Sequence, residues 1–308
     1  MSAIGSETAV ARPSIRVPVK SSMWRHAARQ LMRNRLAMLG LAVVAFMFLF
    51  CFVGPLFSPY TDNKINLAQM NKPPGAQHWL GTDALGRDVL TRVMQAGRIS
   101  LTVGLASMAL SVLIGTLLGA VSGYLRGLVD QIIMRLADLL LTIPGLPLLF
   151  IFGALLSDWK VPTEYRMYIV MVMLSFVGWP NIARMVRGEV LSLREREFML
   201  AADVLGLRTR RKLFRHLLPN LMPLVIVIAS LNVGGAILSE SVLSFFGLGV
   251  MPPTPTWGNM IDAANNLIDF QKRPWLWIPP GFSIFITVIA INVFGDGLRD
   301  VLDPRAGK

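Results

Sequence analysis

The chain has 308 residues, 54% of them hydrophobic and 16% charged, with 30 Lys and Arg against 18 Asp and Glu. A mean hydropathy of +0.56 is too apolar for an ordinary soluble domain, and the +12 formal charge reads as basic loops on one side of a membrane rather than a nucleic-acid surface. The single cysteine, Cys51, lies inside an apolar run, which excludes a disulfide framework and a cysteine-based metal cluster.

Residues 1–24, rich in Ser, Pro and Ala without helical periodicity, read as an unstructured tail. From Trp24 to Arg35 the arginines Arg25, Arg29, Arg33 and Arg35 surround Ala28, Leu31 and Met32, a pattern that predicts a basic amphipathic helix on the membrane surface. The first apolar run begins only near Leu36, is long enough to span and has no small-residue cleavage pattern after it, so no removable secretion signal is expected.

A bilayer core needs about 20 apolar helical residues. The segments Leu36–Phe57, Ile99–Leu125, Gln131–Leu156, Met167–Val186, Leu221–Phe246 and Ile278–Val301 reach that length. The predicted fold is an all-α polytopic membrane protein of six transmembrane helices, with an N-terminal portion over 1–35 and a transmembrane domain over 36–308. Prolines at 144, 147, 180, 223, 279 and 280 interrupt the spans. Such kinks suit a bundle around a cavity, where neighbouring helices or water satisfy the freed carbonyls. With the N-terminus inside, cytoplasmic segments carry about twice as many Lys and Arg as external ones, so both termini are expected in the cytoplasm.

The first external loop, Ser58–Arg98, offers Thr82 and Asp83 as N-cap for a short helix with Leu85, Val89, Leu90 and Val93 on one side, predicted to lie flat before the second span. The second, Gly247–Trp277, is rich in Pro, Gly and Trp. Its Trp257, Trp275 and Trp277 are candidates for interfacial anchoring or for docking an external protein. Between the fourth and fifth spans, residues 187–220 form a charged cytoplasmic loop. Phe198, Met199, Ala202 and Leu205 share one helical face there, Gly206 ends that helix, and Leu213, Phe214, Leu217, Leu218 and Leu221 predict a second short helix at an angle.

Charged and polar groups inside spans are costly and mark functional sites. Asp138 sits one turn after Arg135, with Arg184 on the fourth span as the other partner in reach. Glu240, with Asn232 and Ser239 on the same helix, is the stronger candidate for lining a cavity. Asn292 and Asp296 read as helix-packing contacts. No Gly-x-x-x-x-Gly-Lys-Ser/Thr phosphate cradle and no His-Glu-x-x-His pair occurs, and His26, His78 and His216 all fall outside the spans, so neither nucleotide hydrolysis nor intramembrane proteolysis by this chain is expected.

Motif spacing brings in a family. Ala201-Ala202, Gly206 and Leu218-Pro219 stand at the spacing of the Glu-Ala-Ala, three residues, Gly, nine residues, Ile-x-Leu-Pro pattern of binding-protein-dependent ABC importer permeases. Leu200 occupies the Glu position and His216 the Ile position. Leu80-Gly-Thr-Asp83-Ala-Leu-Gly86-Arg87-Asp88-Val-Leu-Thr-Arg92, Pro252-Pro-Thr-Pro-Thr-Trp257-Gly258 and Gly295-Asp-Gly-Leu-Arg-Asp300-Val-Leu-Asp303-Pro304-Arg305 resemble segments of the C-type permease of dipeptide, oligopeptide and nickel importers. The resemblance runs from about Arg25 to the end. It implies the type I importer permease fold in a bacterial inner membrane and a homologous second permease as partner. Two cytoplasmic ATPases that carry the ATP and magnesium, and an external substrate-binding protein, complete the implied assembly. The chain itself would hold no cofactor and bind no nucleic acid. The coupling residues implied are Phe198, Met199, Leu200, Ala201, Ala202, Asp203, Leu205, Gly206, Leu218 and Pro219. A secondary transporter or channel working without ATP is the alternative.

Overall fold

A computed structural model describes residues 29–61 and 63–302. The N-terminal tail, the start of the basic helix at residues 24–28 and the last residues of the closing motif lie outside them. From Arg35 onward the described residues form, in order, the α-helices α1 (Arg35–Phe52), α2 (Val89–Leu125), α3 (Gly127–Thr142), α4 (Gly145–Asp158), α5 (Thr163–Arg194), α6 (Glu197–Val204), α7 (Thr209–Phe245), α8 (Trp257–Ile261), α9 (Leu267–Lys272) and α10 (Ile278–Leu302). α1, α2, α5, α7 and α10 are each long and apolar enough to cross a bilayer, and α3 with α4 makes a sixth, broken crossing bent by 86°. Leu36, Leu39, Phe46 and Leu49 on α1 stay more than half exposed, as lipid-facing side chains do.

Several boundaries differ from the sequence expectation, each for a local reason. The basic helix does not run through to Arg35: residues 29–33 are helical, but Asn34 is extended and caps α1 by accepting from the Ala37 N–H at 3.2 Å. No separate flat helix precedes the second span. Asp83 instead closes a turn, accepting from the Leu85 and Arg87 N–H groups, and Gly86 sits at φ +71. The cap is Asp88, whose Oδ2 accepts from the Thr91 N–H and hydroxyl at 2.8 Å, so α2 runs unbroken from Val89 through the predicted span. The third span is not one helix: Pro144 lacks an N–H and drives Ile143 to extended backbone, which separates α3 from α4. Pro147, Pro279 and Pro280 cause no kink, because they fall in first turns where no N–H is needed. The second helix of the charged loop is not a separate piece either. It is the first part of α7, joined through a wide π turn at Lys212–Leu217. Pro219 accounts for that turn, since it cannot donate to Arg215 and its ring pushes that carbonyl away.

The centre of the bundle is α2 against α5. Gly115, Gly119 and Gly123 fall every fourth residue on α2. A Cβ on Gly115 would lie 2.7 Å from Ile182 Cβ, one on Gly119 would lie 2.4 Å from the Ala183 carbonyl, and one on Gly123 would lie 2.9 Å from Val190 Cβ. The helices run parallel in this register, their backbones close enough for dispersion contact along three turns. α3 returns beside them, held where Arg187 donates through Nε and Nη2 to the two oxygens of Asp130 at 2.6 Å, with Ser122 donating to the same carboxylate. α7 crosses antiparallel to α2, and α10 packs between α7 and α1. The start of α1, the end of α10 and the α5–α6–α7 loop therefore share one end of the bundle. The segment 58–88 with α8 and α9 caps the other.

The glycine contact predicts that Gly119→Ala lowers the thermal unfolding temperature of the detergent-solubilised protein, at a cost of about 1–3 kcal/mol for overpacking. Gly188→Ala on α5, where an added Cβ meets nothing within 4 Å, should instead raise it, by roughly 0.4–1 kcal/mol. Equal responses would show that the α2–α5 contact does not limit stability.

Candidate functional site

At the loop end, α5 stops at Arg194, which donates to the Tyr124 carbonyl at 2.9 Å and lies over the Tyr124 ring, fastening the end of α5 to the end of α2. Helix α6 then turns back. Its sequence face divides in two. Met199 is buried among Val190, Leu193, Leu217 and Leu221, and Ala202 is buried too, so these two anchor the helix within the chain and are not free to touch a partner. Phe198 at 37% exposure, Leu200 at 54% and Leu205 at 75% point outward, together with Val204 at 88%. Val204 was not among the expected residues, although its spacing of four from Leu200 marks the outer stripe. Gly206 at φ +64 lets the Leu207 N–H reach back to Ala202, and Lys212 pairs with Asp203 across the turn. Leu218 is half-buried and Pro219 exposed just past the π turn of α7. The result is an apolar knob on a rigid seat.

Between α2, α4, α5 and α7 lies a cavity of about 500 Å³. Asn232 and Ser239 line it, with Gly235 and Ala236 between them on the same face of α7. Ser107 and Ser111 from α2, and Asn181 and Arg184 from α5, complete the polar lining. These were missed, although their spacings of four and three place each pair on one helical face. Asp138 does not line the cavity. It stands behind Arg184, whose Nη2 donates to its Oδ1 at 2.7 Å.

Glu240 is not a cavity residue. It is fully buried about a quarter turn around α7 from the cavity stripe, where it accepts from the hydroxyls of Ser100 at 2.8 Å and Ser244 at 2.7 Å, while Ser100 Oγ accepts from the Trp257 backbone N–H. One carboxylate thus ties α7 to α2 and α8. Trp257 is likewise neither an interfacial anchor nor an exposed docking residue: its indole is fully buried and donates to the Val93 carbonyl at 3.0 Å. Trp275 is half-buried over Gly81 and donates to the Thr82 carbonyl, whereas Trp277 stacks on Phe270 at 5.0 Å. His78, buried at the same end, bridges Asp88 and Gln69 and packs against Tyr60, so the cap is a folded unit and not a loose loop.

Replacing Glu240 with Ala strands the hydroxyls of Ser100 and Ser244, for an expected loss of about 1–3 kcal/mol, read as a lower unfolding temperature. Glu240→Gln keeps an acceptor and should lose less than half as much. A loss for Gln as large as that for Ala would mean that the neutral acceptor does not suffice.

Long apolar helices, a polar cavity among them and a rigid apolar knob at one end define a multi-pass membrane protein built for translocation. Residues 115–308 match the binding-protein-dependent transport system inner membrane component family, and residues 22–74 match the N-terminal TM domain of oligopeptide transport permease C. The oligopeptide transport system permease protein OppC of Bacillus subtilis is 40% identical over 93% of this chain and 91% of its own length. The dipeptide transport system permease protein DppC of the same species is 39% identical over 96% and 88%. The oligopeptide permease OppC of Haemophilus influenzae is 38% identical over 92% and 89%. The chain belongs to this family and is a transmembrane permease subunit of an ABC importer.

Proposed function

We propose that the chain forms half of a translocation pathway for short peptides in a bacterial inner membrane, beside a homologous second permease. The relatives named for oligopeptide and dipeptide transport, over nearly their whole length, support the peptide cargo. In this reading both termini and the knob are cytoplasmic, consistent with the arginines gathered at the knob end and with the shared end occupied by α1, α10 and α6. Of two ATPase subunits, which carry the ATP and magnesium, one docks on Phe198, Leu200, Val204 and Leu205. An external binding protein delivers substrate to the cap end, where Trp277 and the exposed Trp79 lie.

The observation that carries this reading is the division of α6 and its cap: four large apolar side chains, Phe198, Leu200, Val204 and Leu205, stand exposed around it, while Met199 is buried in the core with residues of α5 and α7 and Ala202 is buried as well. Exposed apolar area on a rigid element at the water-facing end of a membrane bundle fits a partner's groove. Closure of an ATPase pair would push this seat and bias the bundle between inward-open and outward-open states through different contacts in each.

The pair of substitutions Val204→Asp and Leu205→Asp should leave membrane insertion and unfolding temperature unchanged, since both side chains are exposed, while ATPase subunits co-purify at least tenfold less and ATP-driven uptake stops. Retention of both would remove the docking role. Gly206→Leu, where an added Cβ meets nothing but the φ of +64 is strained, should cost about 1–2 kcal/mol and reduce uptake per ATP hydrolysed. Normal coupling in that variant counts against a fixed knob geometry.

A further inference from the structure

We infer that Arg184 selects cargo by charge, taking a carboxylate of the substrate in exchange for Asp138. The inference rests on the proposed import role and names the chemistry that the cavity accepts. Two Arg–Asp pairs join α5 to α3, and they differ in kind. Arg187 grips Asp130 with two parallel bonds of 2.6 Å, side-chain exposures being 32% and 14%, and Ser122 supports the carboxylate. That fork geometry is the strong, fixed form of such a pair. Arg184 reaches Asp138 through Nη2 alone, with both side chains 53% exposed. A half-exposed ion pair with a single hydrogen bond is weak and easily exchanged.

The remaining Arg184 N–H groups have no other partner among the described residues, and Arg184 is the one charged side chain lining the cavity. No lining carboxylate is present there to receive an ammonium group. A second observation also points to a ligand. Ser107 is 1% exposed, lines the same cavity, and its Oγ has no hydrogen-bond partner, a costly state for a buried hydroxyl unless an occupant supplies the bond. Asn181 lies one turn before Arg184 on α5 and adds an amide. A guanidinium, a hydroxyl and an amide around a volume of about 500 Å³ suit the carboxylate end of a small zwitterion, whose ammonium end must then face away from this chain. Asp138 holds the guanidinium in place while the cavity is empty and takes it back after release.

The test uses the purified importer complex in detergent without the binding protein, which would select cargo on its own. Its unfolding temperature is followed with millimolar dialanine or dialanine amide, since a ligand of the folded state raises it. Wild type should be stabilised by dialanine and not by the amide. Arg184→Gln should abolish the shift, Arg184→Lys should keep part of it, and Asp138→Asn, by freeing the cation, should keep or enlarge it. A purely structural ion pair predicts that Asp138→Asn and Arg184→Gln behave alike. That outcome, no shift in wild type, or an equal shift with the amide overturns the inference. Uptake of dialanine by the complete importer in vesicles reports separately on the peptide reading: uptake without an Arg184-dependent shift removes this inference alone, and an Arg184-dependent shift without uptake removes the peptide reading alone.

Discussion

The close approach of α2 and α5 is the constraint on which the rest of the molecule depends. In a bilayer, apolar area gives little drive for helices to associate, because lipid solvates them as well as protein does; contact distance then decides. Three glycines on α2 let Ile182, Ala183, Val186 and Val190 rest on bare backbone. The parallel register that results sets Ser107 and Ser111 opposite Asn181 and Arg184 across the cavity, and it brings Tyr124 beneath Arg194 so that α6 leaves the bundle at a fixed place. The same contact fixes the rotation of α5 that directs Arg187 and Arg184 toward α3.

At the opposite end, buried polarity serves a similar purpose. Glu240, Ser100, Ser244 and the Trp257 backbone form a network without a cation, satisfied by hydroxyls and one amide. It joins two long helices to a short one of five residues, α8, that could not persist by itself. The His78 cluster does the same for the segment ahead of α2, with Asp88 serving both as helix cap and as imidazole partner. The cap and the knob are thus each tied to the central helices by a few directional bonds, and in the middle of the bundle Ser175 on α5 donates to the Ser107 carbonyl on α2 at 3.0 Å.

Much of this was legible in the sequence, for reasons that can be named. Hydropathy and length located the membrane helices, because the bilayer imposes both. Gly206 marked the turn after α6, because few other residues take that backbone shape. Two caps competed ahead of α2. Thr82 with Asp83 is the better local motif, and Asp88 prevails because Gly86 closes a turn between them. The broken third crossing was signalled by Pro144, yet hydropathy alone runs smoothly through it. The glycine stripe of α2 stands in plain view at a spacing of four, although only the partner helix reveals what it meets. Glu240 shares a helix with Asn232 and Ser239, but its side faces Ser100, some 140 residues earlier in the chain. Trp257 looked like a surface aromatic for the same reason, its Val93 partner being far away in sequence. Rotation of a helix about its own axis is set by neighbours, and no local pattern carries it.

The continuity of α7 with the knob has a mechanical meaning. From Thr209 to Phe245 the helix has 37 residues and so measures about 55 Å at 1.5 Å per residue, with Asn232 and Ser239 in its second half. A lever of that length turning by about 5° around its midpoint sweeps each tip through roughly 2–3 Å, comparable with the width of a water molecule. Thrust applied at the π turn is thus carried toward the far rim along one continuous helix, in which Pro223 removes a single backbone hydrogen bond.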